Sequence, residues 1–171
     1  DSNIFAIIKI YLISNKSSLA IILCMDIEDL AYEVIPEEIV SLKDELIDLY
    51  ARELFEKHIY FRQTSSLEGN IVEILKRLDG QEEKHAYILK ILLEKAELEV
   101  KEYDQSELEN IVYQPLNEAL IYDIKQEKIS ADAYRDAIEK STGKLKQVLE
   151  HILQEEFEHI GILEKFLEEN V

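Results

Sequence analysis

The chain has 171 residues, with 19 Lys or Arg against 37 Asp or Glu, a formal net charge of −18 and 47% apolar residues. That length and apolar fraction suit one domain with one sizeable core. The charge argues against sequence-independent nucleic-acid binding, which needs phosphates neutralised by Lys and Arg, and against anionic membrane surfaces. A single cysteine, Cys24, leaves no intrachain disulfide framework and no cysteine-based zinc or rubredoxin-type site. Only 4 Gly and 2 Pro are present, with no Gly-rich phosphate loop. Long helices are the natural reading, and the abundance of Glu, Lys, Leu and Ile agrees.

Residues 1–35 read as an apolar N-terminal extension. Residues 4–13 (IFAIIKIYLI) and 19–25 (LAIILCM) flank a polar SNKSS. Neither run reaches the roughly 18–20 residues that span a bilayer. The start at Asp1 and the Ile-Leu-Cys end of the second run do not fit a secretory signal. The segment is expected to pack either as two strands around a turn or as two short helices. Met25, the one methionine, stands where the composition turns acidic and is a candidate initiator of the core protein.

From Pro36 onward the periodicity is helical. Ile35-Pro36-Glu37-Glu38 has the form of a helix start, with Pro in the first turn and Glu at the positive end of the dipole. Leu42, Leu46, Leu49, Glu53 and Tyr60 share one stripe, before turns at 64–66 and 69–70. A second stripe runs Ile71, Leu75, Leu78, Glu82, His85, Leu89, Leu92 and Ala96. Residues 104–114 break the pattern before Pro115. A third stripe is Leu116, Leu120, Ile124, Glu127, Ala131, Tyr134 and Ile138. After Ser141-Thr142-Gly143, a fourth is Leu145, Leu149, Ile152, Glu156, His159, Leu163 and Phe166. Four helices are predicted over 36–66, 69–103, 115–140 and 143–169.

Six stripe positions should face the core and are Glu or His: Glu53, Glu82, His85, Glu127, Glu156 and His159. Buried charges are normally paired or bound to metal. The six also repeat. Adding 74 to each residue number carries Glu53, Tyr60, Glu82 and His85 onto Glu127, Tyr134, Glu156 and His159. The chain therefore reads as a duplicated helical hairpin. Each hairpin offers one Glu from its first helix and Glu-x-x-His from its second, the ligand set of di-iron and di-manganese carboxylate bundles. Positions i and i+3 share a helix face, so each pair can converge on one metal.

Four carboxylates and two imidazoles make a hard, oxygen-rich site, better suited to Fe or Mn than to zinc. Four negative charges balance two divalent cations. Bridging is expected from Glu82 and Glu156, and terminal ligation from Glu53 and Glu127. A lone Glu-x-x-His in a Glu-rich helix would mean little; the repeated set is the signal. Glu83, Glu155 and Glu158 read as solvated faces beside the motifs, and His58 and His151 as surface or boundary residues. Tyr60 and Tyr134 are candidates for hydrogen bonds to the ligands.

The segments LDGQEEKHAYIL (78–89) and LQEEFEHIGIL (153–163), with their partner glutamates, resemble the rubrerythrin-like branch of the ferritin-like superfamily over about residues 40–168. The resemblance implies an all-α, ferritin-like four-helix bundle over 36–171, built from two repeated hairpins joined by a long crossover. The 11 residues 104–114 could extend at most about 36 Å. It also implies metal ligation by Glu53, Glu82, His85, Glu127, Glu156 and His159, with Tyr60 and Tyr134 close behind them.

Three departures qualify the resemblance. No Cys-x-x-Cys is present, so there is no rubredoxin domain. The further Glu that rubrerythrins carry one turn after the third-helix ligand is Ser130 here, which puts redox-linked ligand exchange in doubt. The position where bacterioferritins hold haem through Met is Glu83, so no haem is expected. The implied protein binds two Fe ions per chain, with Mn possible. It oxidises Fe(II) with peroxide or O2 and is re-reduced by a separate electron donor protein. It is expected to be cytoplasmic. Because the apolar runs 4–13 and 19–25 have no place in a complete four-helix core, a homo-oligomer is expected, most simply a dimer, with 1–24 at or near the contact. The alternatives are a di-manganese catalase-like enzyme, an iron-sequestering protein without turnover, and a structural bundle with a vestigial site.

Overall fold

The computed structural model describes residues 26–100 and 115–170. The apolar runs before Met25, and any contact they make with a second chain, lie outside the described residues, as does the crossover at 104–114. The described chain is all-helical: α1 (Ile27–Glu33), α2 (Pro36–Val40), α3 (Lys43–Gln63), α4 (Asn70–Lys95), α5 (Leu116–Lys140) and α6 (Gly143–Asn170). Among the described residues no helix is long and apolar enough to cross a membrane.

The helix expected over 36–66 is divided. Pro36 does open a helix, but α2 ends after five residues. At the break the Ser41 hydroxyl takes the Glu38 carbonyl at 2.7 Å, a local bond that competes with helix continuation. Leu42 then leaves helical geometry (φ −125°, ψ 24°) and its side chain is buried. Before α2, the short α1 begins at Asp26, whose carboxylate accepts from the Glu28 N–H at 3.1 Å. Its residues Ile27 and Ala31, with Val34 just beyond, are buried in the core.

The helix expected over 69–103 stops at Lys95. Glu97 takes a left-handed conformation (φ 55°), and the Leu98 N–H reaches back to the Leu93 carbonyl at 3.0 Å. This is a Schellman-type ending made without glycine. Leu98 packs on the core and supplies the apolar contact that accompanies such an ending.

Gly143 suits its position, where any other L residue would be strained and would push the Glu38 side chain aside. Its φ is +57°, and a Cβ there would lie 1.9 Å from Glu38 Oε1. The same carboxylate accepts from the Leu145 N–H at 3.4 Å, so α2 supplies an anion to the N-terminus of α6.

Helix α3 packs mainly on α4, and α5 mainly on α6; contacts of α3 with α5 and of α4 with α6 join the two pairs. Two apolar clusters fill the interior. One gathers Leu46, Leu49, Leu89, Leu92, Leu145 and Leu149 with the buried side chains of α1 and α2. The other gathers Ile59, Ile71, Leu75, Leu78, Leu120 and Leu163. Each such buried side chain contributes about 1.5–3 kcal/mol. Between the two clusters all four long helices carry buried Glu instead, joined by His on α4 and α6. The apolar clusters thus enclose a layer of charged groups and keep water from both ends of it.

Candidate metal centre

Each of the four long helices sends ionisable side chains into this layer. Glu53 comes from α3, Glu82 and His85 from α4, Glu127 from α5, and Glu156 and His159 from α6. All six are fully buried. They form two groups: Glu53, Glu82, His85 and Glu156, and Glu82, Glu127, Glu156 and His159. Within each group one ligand atom per residue lies within 4.8 Å of all the others. Glu82 and Glu156 belong to both groups. The two imidazoles stack with centroids 5.8 Å apart and planes at 21°.

Nδ1 of His85 lies 3.2 Å from Glu53 Oε2, 3.2 Å from Glu82 Oε2 and 3.0 Å from Glu156 Oε1. Nδ1 of His159 lies 2.8 Å from Glu82 Oε1 and 3.4 Å from Glu127 Oε2. Each ring thus turns the same nitrogen into the layer. Tyr60 donates its hydroxyl proton to Glu127 Oε1, and Tyr134 donates to Glu53 Oε1. Both tyrosines are buried. Each reaches the glutamate of the other half of the repeat, not the one seven residues before it.

Three polar contacts were not legible as part of the site. Glu56, one turn after Glu53, is buried; its Oε1 accepts from the Ser130 hydroxyl at 2.7 Å. Ser130 is the residue 74 positions on, so a carboxylate and a hydroxyl face each other across the repeat. Further along, Gln63 donates to Asp123 at 2.9 Å. Glu155, read as solvated, instead accepts from His85 Nε2 at 2.7 Å. Glu83 behaves as a surface residue, paired with Lys57 at 2.6 Å. His151 is exposed.

Burial and crowding redistribute the protons. Burial opposes ionisation of Glu82, yet the adjacent imidazoles of His159 and His85 hold it well below the usual carboxylate range. Burial raises Glu53 to about 7, against the pull of His85. Burial, with neighbouring carboxylates, pushes Glu56 and Glu156 well above their ordinary value. Burial opposes charge on His159, but Glu127 and Glu82 outweigh it and lift the group to about 11. His85 is raised in the same way, with Glu53 the strongest of its anions. In this arrangement protons carry the positive charge that so many carboxylates require.

Several buried atoms make no well-formed hydrogen bond, some of them despite a close ion-pair contact: Glu82 Oε1, Glu127 Oε2, both oxygens of Glu156 and both ring nitrogens of His159, and also Glu56 Oε2, Gln63 Oε1, Asp79 Oδ1 and Asp123 Oδ2. Orphaned buried acceptors are uncommon and costly. Six of these ten atoms belong to residues of the two four-membered groups, as ligands to a cation would. The donor set of carboxylates and imidazoles fits a hard divalent ion in each group. The two buried clusters could therefore hold metal ions.

No protein-family model, curated protein or solved structure matches this chain.

Proposed function

We propose that the chain is a ferritin-like di-metal carboxylate protein of the rubrerythrin-like kind. In this reading the long helices form a four-helix bundle of two repeated hairpins. The function is redox chemistry at a di-iron centre, with hydrogen peroxide or O2 as oxidant and a separate protein as electron donor. The single observation that carries the reading is the convergence of six buried ligand side chains into two groups sharing Glu82 and Glu156. The unpartnered atoms on these residues support it.

Two iron ions held there would supply the two electrons that cleave an O–O bond. The chain's own residues have distinct tasks. Glu82 and Glu156, common to both groups, would be shared by the two ions. Glu53 and Glu127 would each serve one ion, each oriented by a tyrosine from the opposite half. His85 and His159, once deprotonated, would present Nδ1. Tyr60 and Tyr134 hold protons beside the centre. The flanking apolar clusters limit water at the centre.

Rapid mixing of anaerobic Fe(II)-loaded protein with peroxide, and separately with O2, tests the proposal. Oxidation faster than that of free Fe(II) is expected, with new near-ultraviolet absorption and about one peroxide consumed per two irons. Oxidation no faster than in buffer alone contradicts the redox function and leaves a metal-binding protein without turnover.

A further inference from the structure

The repeat relating the two halves of the centre fails at one pair of positions that matters to the imidazoles. Glu155 on α6 corresponds to Gln81 on α4, 74 positions earlier. Glu155 Oε2 accepts from His85 Nε2 at 2.7 Å, and its side chain is 23% exposed. Gln81 is turned along its own helix, with Oε1 3.4 Å from Arg77 Nε. His159 Nε2, which corresponds to His85 Nε2, is buried and has no hydrogen-bond partner among the described residues.

We propose that the two metal positions are unequal, and that Glu155 is the positioning residue that makes them so. The position built on His85 holds a divalent cation more tightly than the position built on His159. This rests on the two-metal reading above. A histidine that ligates through Nδ1 must keep its one proton on Nε2 and hold its ring angle. Glu155 selects that tautomer, fixes the ring and strengthens Nδ1 as a donor. His159 has no such partner, and its buried Nε2–H is left unmet, which weakens any state that depends on it. Glu56 lies outside both four-residue groups; Ser130 holds its Oε1, while its buried Oε2 has no hydrogen-bond partner.

The test is anaerobic titration of metal-free full-length protein with Co(II), followed by visible absorption and calorimetry. Wild type is expected to bind in two steps, about 10–100-fold apart in affinity. Glu155→Ala should lower the tighter step by that factor and leave the weaker step in place. Glu155→Gln, which keeps an acceptor for Nε2–H, should recover part of the loss. Gln81→Glu should tighten the weaker step about 10-fold by giving His159 a carboxylate. A slowly exchanging His85 ring N–H in the Zn(II)-loaded protein should vanish in Glu155→Ala. Two equal steps in wild type overturn the inequality while leaving the two-metal reading intact. So does a Glu155→Ala effect confined to the weaker step. Folded protein that takes up no Co(II) overturns both.

Discussion

The hydroxyl of Tyr134 on α5 donates to Glu53 on α3, 81 positions earlier in the chain. Tyr60 on α3 makes the reciprocal bond to Glu127 on α5. The two halves of the repeat thus lock each other's terminal carboxylate. Tyr60→Phe and Tyr134→Phe should each leave a buried carboxylate oxygen without its donor, at a cost of about 1–3 kcal/mol. Each should also weaken metal binding by about 10-fold. Thermal unfolding and metal titration of the two variants check this. Because the bonds are reciprocal, the two losses should be similar.

The proton inventory sets the pH dependence of the metal-free protein. Asp123, buried beside Gln63, is raised to about 8, Glu53 to about 7 and His159 to about 11. All three bind protons more tightly folded than unfolded, where their values are about 4, 4.5 and 6.5. Their contribution is full below the unfolded values and is lost as pH rises through the folded ones. Glu82 is shifted the other way, so its contribution falls away only below about pH 4.5. The melting temperature of metal-free protein should therefore fall between about pH 5.5 and 8.5. Metal affinity should rise over the same interval, because ligands shed protons on binding. A melting temperature that rises with pH in the metal-free protein would contradict the assignment.

Gly143→Ala tests the joint between α2 and α6. The substitution places a Cβ at positive φ and against Glu38, so about 1–3 kcal/mol should be lost. Glu38→Ala should relieve part of the clash, making the double variant less damaged than the sum of the singles. Strict additivity in denaturant unfolding would show that the two residues do not meet.

Neighbouring glutamates should behave oppositely. Glu82 is fully buried and shared by both groups, whereas Glu83 faces solvent beside Lys57. Glu82→Ala should abolish tight binding of at least one ion per chain, while Glu83→Ala should be nearly silent. Metal analysis of the two purified variants distinguishes them, and equal losses would mean the helix phase is wrong.

The six candidate ligands were legible because a charged residue at a core-facing position is conspicuous, and because the same anomaly recurs 74 residues later. Other features were not. Glu56 and Glu155 look ordinary in Glu-rich helices. Only the packing of other helices brings Ser130 and His85 to them. The exchange of tyrosines between halves depends on which helices face each other, which a stripe does not encode. The end of α4 was missed because the left-handed residue there is Glu97, not glycine. The break at Ser41 was missed because Leu42 fits the stripe on both sides of it.

Metal stoichiometry tests the central claim most directly. Protein purified anaerobically and loaded with Fe(II) or Mn(II) should hold about two ions per chain, in agreement with two ligand groups sharing two carboxylates. Elemental analysis alongside circular dichroism gives the answer. A fully folded protein that holds no metal in the presence of excess Fe(II) or Mn(II) would contradict the account.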